Sequence, residues 1–262
     1  MFIFRFKALA ISCLALSSFL NLHSQPEQDR LVKDHYVGAQ AWFEKMTQKY
    51  PVAQLDNVLF CISDQYLSRT NTIYWPESRL RAINTAYMKT QNSNDLENMF
   101  KQDEYILLHE AAHVLKDHNQ KGYVALALTC AAFAALNGYI LKKAFKKDST
   151  SFNKVKCSIE ALLGNLAILT ALASYVQFQE RQADEFVNKF GDDRSLQAGA
   201  HWLTRIEQCM LKDQQFSEFT KNLIILYQDP WHPLPESRRQ KVLEALALRN
   251  LNKSNSLRVQ IS

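Results

Sequence analysis

Between residues 28 and 50 the apolar positions Trp42, Phe43 and Met46 fall on one side of a helical wheel, which predicts a helix there. The run "NVLFCI" at 57–62 predicts a short strand, and "LRAINTAYMKT" at 80–90 reads as a second one. Between them "NTIYWPES" carries turn signals and aromatic residues, and "QNSND" breaks the pattern again. Asn94 or Asp95 is suited to cap a short helix through "LENMF". The next helix, starting near Gln102 or Asp103, holds the stretch "EYILLHEAAHVLKDH". A strand ahead of it would offer an edge to an extended peptide. Further on, "RSLQAGAHWLTRIEQCMLK" is amphipathic at helical spacing, and Gly191 is placed to end the helix before it. A last helix starts at Pro235, a residue suited to a first turn, with Val242, Leu243, Leu246 and Leu248 as its apolar side. The expected fold class is mainly α with a small β-sheet.

Two longer apolar segments, 123–141 and 161–178, approach the length of a bilayer span. Between them "KKAFKKDSTSFNKVK" holds six lysines and one acid, a loop that should stay on the cytoplasmic side of a bacterial membrane. Asn137, Glu160 and Asn165 make the pair a poor lipid span, so a crossing hairpin and a buried or membrane-resting one are alternatives. At the N-terminus, Arg5 and Lys7 precede the apolar run "ALAISCLALSSFL". This predicts a signal peptide or N-terminal membrane anchor over 1–22, with Ala15 and Ser17 the best small pair for cleavage. The remaining 23–262 reads as one domain that includes the apolar hairpin 123–178. Both charge clusters agree on a topology in which the chain starts inside and the parts flanking the hairpin lie outside.

Composition changes this picture little. A chain of 262 residues can bury one good core, and its net charge of +5 is modest. The basic residues collect in the hairpin loop, where an anionic leaflet explains them better than nucleic acid does. There is no Gly-rich phosphate loop and no nucleophile elbow. The five cysteines form no C-x-x-C pair, which excludes a zinc ribbon. A Cys61–Cys209 disulfide is chemically permitted in an oxidising compartment.

Chemistry enters at His109 and His113. Positions i and i+4 project from one helix face, so two imidazoles there can hold one zinc ion. Glu110, beside the first, is placed to take a proton from a water at that ion. After the second apolar segment, "QFQERQADEFVNKFG" sets Glu180 and Asp184 again four apart. Glu180 would complete a His-His-Glu set with an open fourth position, and Asp184 would accept a free histidine N–H and orient that ring. Taken singly, Glu180 reads better as a solvated helix charge than as a ligand, and His118 and His201 better as structural histidines.

The spacing of "HEAAHVLKDH", "ERQAD" and "DPWHPLPESRRQKVLEAL" resembles the zinc endopeptidases typified by the HtpX heat-shock protease, the CAAX prenyl protease and the Oma mitochondrial protease. His118 matches a further histidine of the first motif. Glu180, Ala183 and Asp184 fall on the second, and His232, Pro233 and Arg238 on a C-terminal His-Pro…Arg signature. Leu234 replaces the usual second proline, and the region before residue 100 shows little that aligns. The resemblance implies a zincin-like (gluzincin) metalloprotease domain with an inserted hydrophobic hairpin and one zinc per chain. It implies action on envelope or membrane polypeptides, in protein quality control, with the active site on the extracytoplasmic side. His232 or Arg238 would then support the oxyanion. The alternative is a non-catalytic zinc-binding scaffold or chaperone-like module of the envelope.

Overall fold

The helix expected over 28–50 is two helices, α1 (Val32–His35) and α2 (Val37–Lys49), because Tyr36 between them leaves the helical region at φ −135° and ψ 77°. Trp42, Phe43 and Met46 are all fully buried on α2. The computed structural model describes residues 30–69, 71–146, 150–211 and 229–261, with 220, 222 and 225. The expected signal peptide or anchor over 1–22 lies outside these. Among the described residues there are nine helices and one three-stranded sheet. They fall into two units, residues 31–126 with 172–262, and residues 127–171.

In the larger unit, β1 (Leu59–Ser63), β2 (Leu67–Arg69) and β3 (Thr72–Pro76) lie in the order β1-β3-β2. β1 runs parallel to β3, with Phe60 opposite Ile73, and β2 runs antiparallel, with Ser68 opposite Ile73. "NTIYWPES" is therefore the central strand and not a turn. All five β3 residues are buried, and the β-branched and aromatic Thr72–Trp75 fit a strand covered on both faces. Conversely, 80–90 is not a strand but most of helix α3 (Glu77–Thr90). Its apolar Leu80, Ile83 and Ala86 recur at a spacing of three, which a helix gathers on one side and a strand would scatter over both. The aromatic core joins the layers: Phe43 stacks on Phe60 at 3.9 Å between centroids and meets Trp75 edge-on at 5.5 Å. Such contacts contribute about 0.5–1.5 kcal/mol each beyond the area they bury.

The short helix α4 (Ser93–Met99) leads into α5 (Lys101–Leu115), which carries the histidine motif and packs on β2 and β3. Two long helices follow, α6 (His118–Ala144) and α7 (Ser151–Phe190). α7 ends where the Gly191 N–H bonds to the Val187 carbonyl at 2.8 Å. α8 (Asp193–Leu211) then packs on both α5 and the last helix, α9 (Pro235–Ile261). Of the apolar side expected on α9, Val242 and Leu246 are buried, whereas Leu243 and Leu248 are exposed. The first pair is four apart and shares one face; the second lies off it. Cys61 is buried in β1 and Cys209 exposed on α8, and no disulfide joins them.

In the smaller unit the two long helices pack together as a hairpin. By length and composition both are apolar enough to cross a membrane. Leu128, Tyr139, Leu141, Ile159, Leu162 and Leu166 stand exposed. Its polar groups are matched between the helices. The Asn137 and Asn165 amides bond reciprocally at 3.1 and 3.2 Å, and Lys143 pairs with Glu160 at 3.0 Å. Gly164 lets α7 approach the Leu136 side chain, which a β-carbon there would strike.

Candidate metal centre

The first turn of α5 is tied down on every side, which holds the motif helix in place. Asp103 accepts Tyr66 Oη at 3.1 Å and Arg79 Nε at 3.0 Å, with a second bond to the same guanidinium. Glu104 accepts Lys49 and Lys101 ammonium groups, each at 3.0 Å, and the Tyr50 hydroxyl. Both acids also favour the positive end of the helix dipole. One turn on, Tyr105 is fully buried, and Gly199 of α8 leaves room for its ring.

His109 and His113 follow at helical spacing, and α7 brings Glu180 against them. His109 Nε2 lies 3.2 Å from His113 Nε2 and 3.2 Å from Glu180 Oε2, and His113 Nε2 lies 3.3 Å from Glu180 Oε1. Two imidazole nitrogens and the two oxygens of one carboxylate thus come together, His109 and Glu180 standing 71 positions apart in sequence. These donors are of the kind that hold a divalent metal ion, and they lie close enough together to share one.

The electrostatics agree with a site made for a cation. Burial works to raise the Glu180 carboxyl, but His113 and His109 outweigh it and hold it well below the carboxylate range. Burial pulls His109 down, but Asp184 and Glu180 outweigh it and push the imidazole up to about 10. Burial pushes His113 down to about 4, keeping it neutral and able to donate a lone pair. His118, also buried, is pushed down to about 4 by burial and by the neighbouring His113.

A second layer of residues surrounds these three. Asp184 Oδ1 stands 3.2 Å from His109 Nδ1, in an oblique approach that acts as charge attraction more than as a straight hydrogen bond. Arg238 of α9 grips the same carboxylate through Nε and Nη2 at 2.9 and 2.8 Å. Its guanidinium is therefore engaged behind the ligands. His232 sits on the open side: Nδ1 meets Asp229 Oδ2 at 2.7 Å, and Nε2 faces Glu180 Oε2 at 3.6 Å. Its side chain is half-exposed. Burial lowers this imidazole, but Asp229 and Glu180 outweigh it and raise it above the ordinary value. Gln177 of α7 fixes the turn that carries it, donating to the Pro230 carbonyl at 3.0 Å.

A cleft of about 350 Å³ opens onto this group. Its lining includes His109, Glu110 and His232 together with the apolar Ile106, Trp202 and Ile206. Burial pushes the Glu110 carboxyl up, with the charge of Glu180 in the same direction. Sequence reasoning singled out neither Asp229 nor Gln177, Gln179 and Gln182. Their signals were an acid three residues before His232 and three glutamines around Glu180 in an otherwise apolar helix. A second acidic group, Glu97, Glu104 and Asp192, is not a vacant cation site, because the Lys49 and Lys101 ammonium groups bond into it.

Comparison with protein-family models, with characterised proteins and with solved structures finds no match, so function has to be read from the mainly helical fold and its buried His109, His113 and Glu180.

Proposed function

We propose that this chain is a zinc-dependent endopeptidase of the cell envelope, of the group typified by the HtpX, CAAX prenyl and Oma proteases. The observation that carries the reading is the convergence of His109, His113 and Glu180 beside a cleft that contains Glu110. A zinc ion held by His109, His113 and Glu180 would supply Lewis acidity toward a peptide carbonyl and a bound water. Glu110, its proton affinity raised by burial, takes a proton from water and passes it to the leaving amine. His232, anchored on Asp229 with its proton affinity raised, would donate to the developing oxyanion from the open side. Arg238 acts behind it through Asp184. β2, an edge strand packed beside the motif helix, offers main-chain groups to an extended substrate, and the apolar cleft lining receives one of its side chains.

The hairpin fits the same reading. Its exposed apolar side chains suit lipid, its polar groups are paired internally, and its lysine-rich loop suits an anionic leaflet. The site would then face away from the cytoplasm.

The apolar cleft lining also suits a module that holds polypeptides without cutting them. Zinc content and hydrolysis of an unfolded protein, measured for the parent, Glu110→Gln and Glu180→Ala, separate the two. The expected result is one zinc per chain in the parent and in Glu110→Gln, with hydrolysis reduced at least about 100-fold in the latter. Glu180→Ala should lose zinc. Hydrolysis by the parent that survives Glu110→Gln rules the protease mechanism out.

A further inference from the structure

His118 should not face His113. Five residues on, a continuous helix would place it about 140° around the axis. The helix is broken instead. Lys116 and Asp117 form a turn, Asp117 takes a left-handed φ of 52°, and α6 starts at His118. Gln179 of α7 holds that start, donating from Nε2 to the His118 carbonyl at 3.0 Å. The imidazole is thereby folded back under the motif helix, where it is 3% exposed.

The contacts there specify where each proton sits. His118 Nε2 lies 3.1 Å from Gln182 Oε1, an oxygen that can only accept, so this nitrogen carries the hydrogen. A neutral imidazole has one hydrogen, so His118 Nδ1 is bare. It lies 3.0 Å from His113 Nδ1, which must then be the donor. The His113 hydrogen is thus on Nδ1, and the lone pair is on Nε2, the atom that faces His109 and Glu180. Without such a partner, a neutral imidazole is free to carry its hydrogen on either nitrogen, and one of those forms cannot bind a metal through Nε2.

We propose that His118 is a positioning residue for the metal centre, which with Gln182 fixes the tautomer and ring orientation of His113 so that Nε2 is presented as a ligand. The inference deepens the metal-centre reading and rests on it. His109 has its counterpart in Asp184; His113 has a neutral chain, Gln182 to His118, in the place of a carboxylate. The difference follows from charge: the site already holds Glu180, Asp184 and Glu110, and another buried carboxylate would carry a further desolvation cost.

The test is zinc affinity of the full chain in detergent, by competition with a fluorescent chelator, for the parent, His118→Leu, His118→Asn and Gln182→Leu. Leu and Asn branch alike, but only Asn keeps an acceptor near the position of Nδ1. His118→Leu should bind zinc about 10–100-fold more weakly, and His118→Asn within about threefold of the parent. Gln182→Leu should fall between, which keeps the question answerable if His118→Leu does not fold. A packing role predicts the reverse, since Leu fills a buried apolar volume better than Asn. Equal affinities for Leu and Asn in a parent that binds zinc overturn this inference alone. A parent that binds no zinc overturns the metal-centre reading with it.

Discussion

Arg238 and Asp184 form a two-pronged ion pair, Nε to Oδ2 at 2.9 Å and Nη2 to Oδ1 at 2.8 Å, with both residues buried. Asp184 in turn stands beside His109 Nδ1, so the last helix reaches the metal centre through one carboxylate. Burial works to raise that carboxyl, and Arg238 with His109 outweighs it and keeps it ionised. Arg238→Met would leave the charge buried and unpaired, at a cost of about 3–5 kcal/mol. Arg238→Lys should recover only part, because an ammonium cannot make the planar fork. Chemical denaturation of the zinc-free chain checks this; a loss below about 1 kcal/mol for Arg238→Met would mean that the pair is not holding α9 to the centre.

Gly199 and Tyr105 test how closely α8 must approach the motif helix. A β-carbon at 199 would overlap the Tyr105 ring, one turn before His109. Gly199→Ala is expected to cost about 1–3 kcal/mol, the range for overpacked cores, and to weaken zinc binding by displacing α5. Adding Tyr105→Leu should return part of both losses. Thermal melts and the chelator competition read the two effects together, and an unchanged melting temperature would contradict the close packing.

Acid should loosen the N-terminal end of α5 and α8 first. Asp192 accepts Lys49 Nζ at 2.6 Å, Lys101 Nζ at 2.8 Å and the Ser195 N–H at 2.7 Å. Burial works to raise its pKa, but Lys101, Lys49 and the Ser195 amide outweigh it and hold it below its ordinary value of 3.8. Its contribution to stability is therefore complete above about pH 4 and lost as pH falls through the lower folded value. The stability advantage of the parent over Asp192→Asn should hold steady from about pH 7 to 5 and shrink below about pH 4. Asp192→Asn, which keeps an N-cap acceptor, should be less stable than the parent at neutral pH and converge with it in acid. A constant gap across the range would assign the effect to something other than this carboxylate.

If the hairpin spans a membrane, protease added to the cytoplasmic face should cut within 142–156, and protease added to the opposite face should not. Cutting from the opposite face alone would invert the topology. A hairpin that rests on the outer leaflet would be cut from that face only, together with the segments flanking it.

The candidate metal-holding residues could be picked out of the sequence because their spacing is local. Four residues along a helix is one face, and that holds for His109 with His113 and for Glu180 with Asp184 before any tertiary contact is known. His118 was less legible, since its place depends on a single left-handed residue at Asp117. The sheet was partly misread for a similar reason. Residues 72–76 carry Pro76 and follow Asn71, both turn signals, and become a central strand only through pairing with β1 and β2. Residues 80–90 contain enough β-branched and aromatic side chains to suggest a strand, yet the spacing of Leu80, Ile83 and Ala86 belongs to a helix that buries one side.

By itself, then, the order of residues determined the mainly helical character of this chain, its two long apolar segments and the donor atoms it can offer a cation, because each follows from periodicity over a few turns. Only the tertiary structure decided that Glu180 meets the imidazole pair, that Arg238 serves Asp184, that Asn137 finds Asn165, and that His118 turns back under His113. Those outcomes depend on where helices distant in sequence are held by buried aromatic and ionic contacts, and no local pattern encodes such positions.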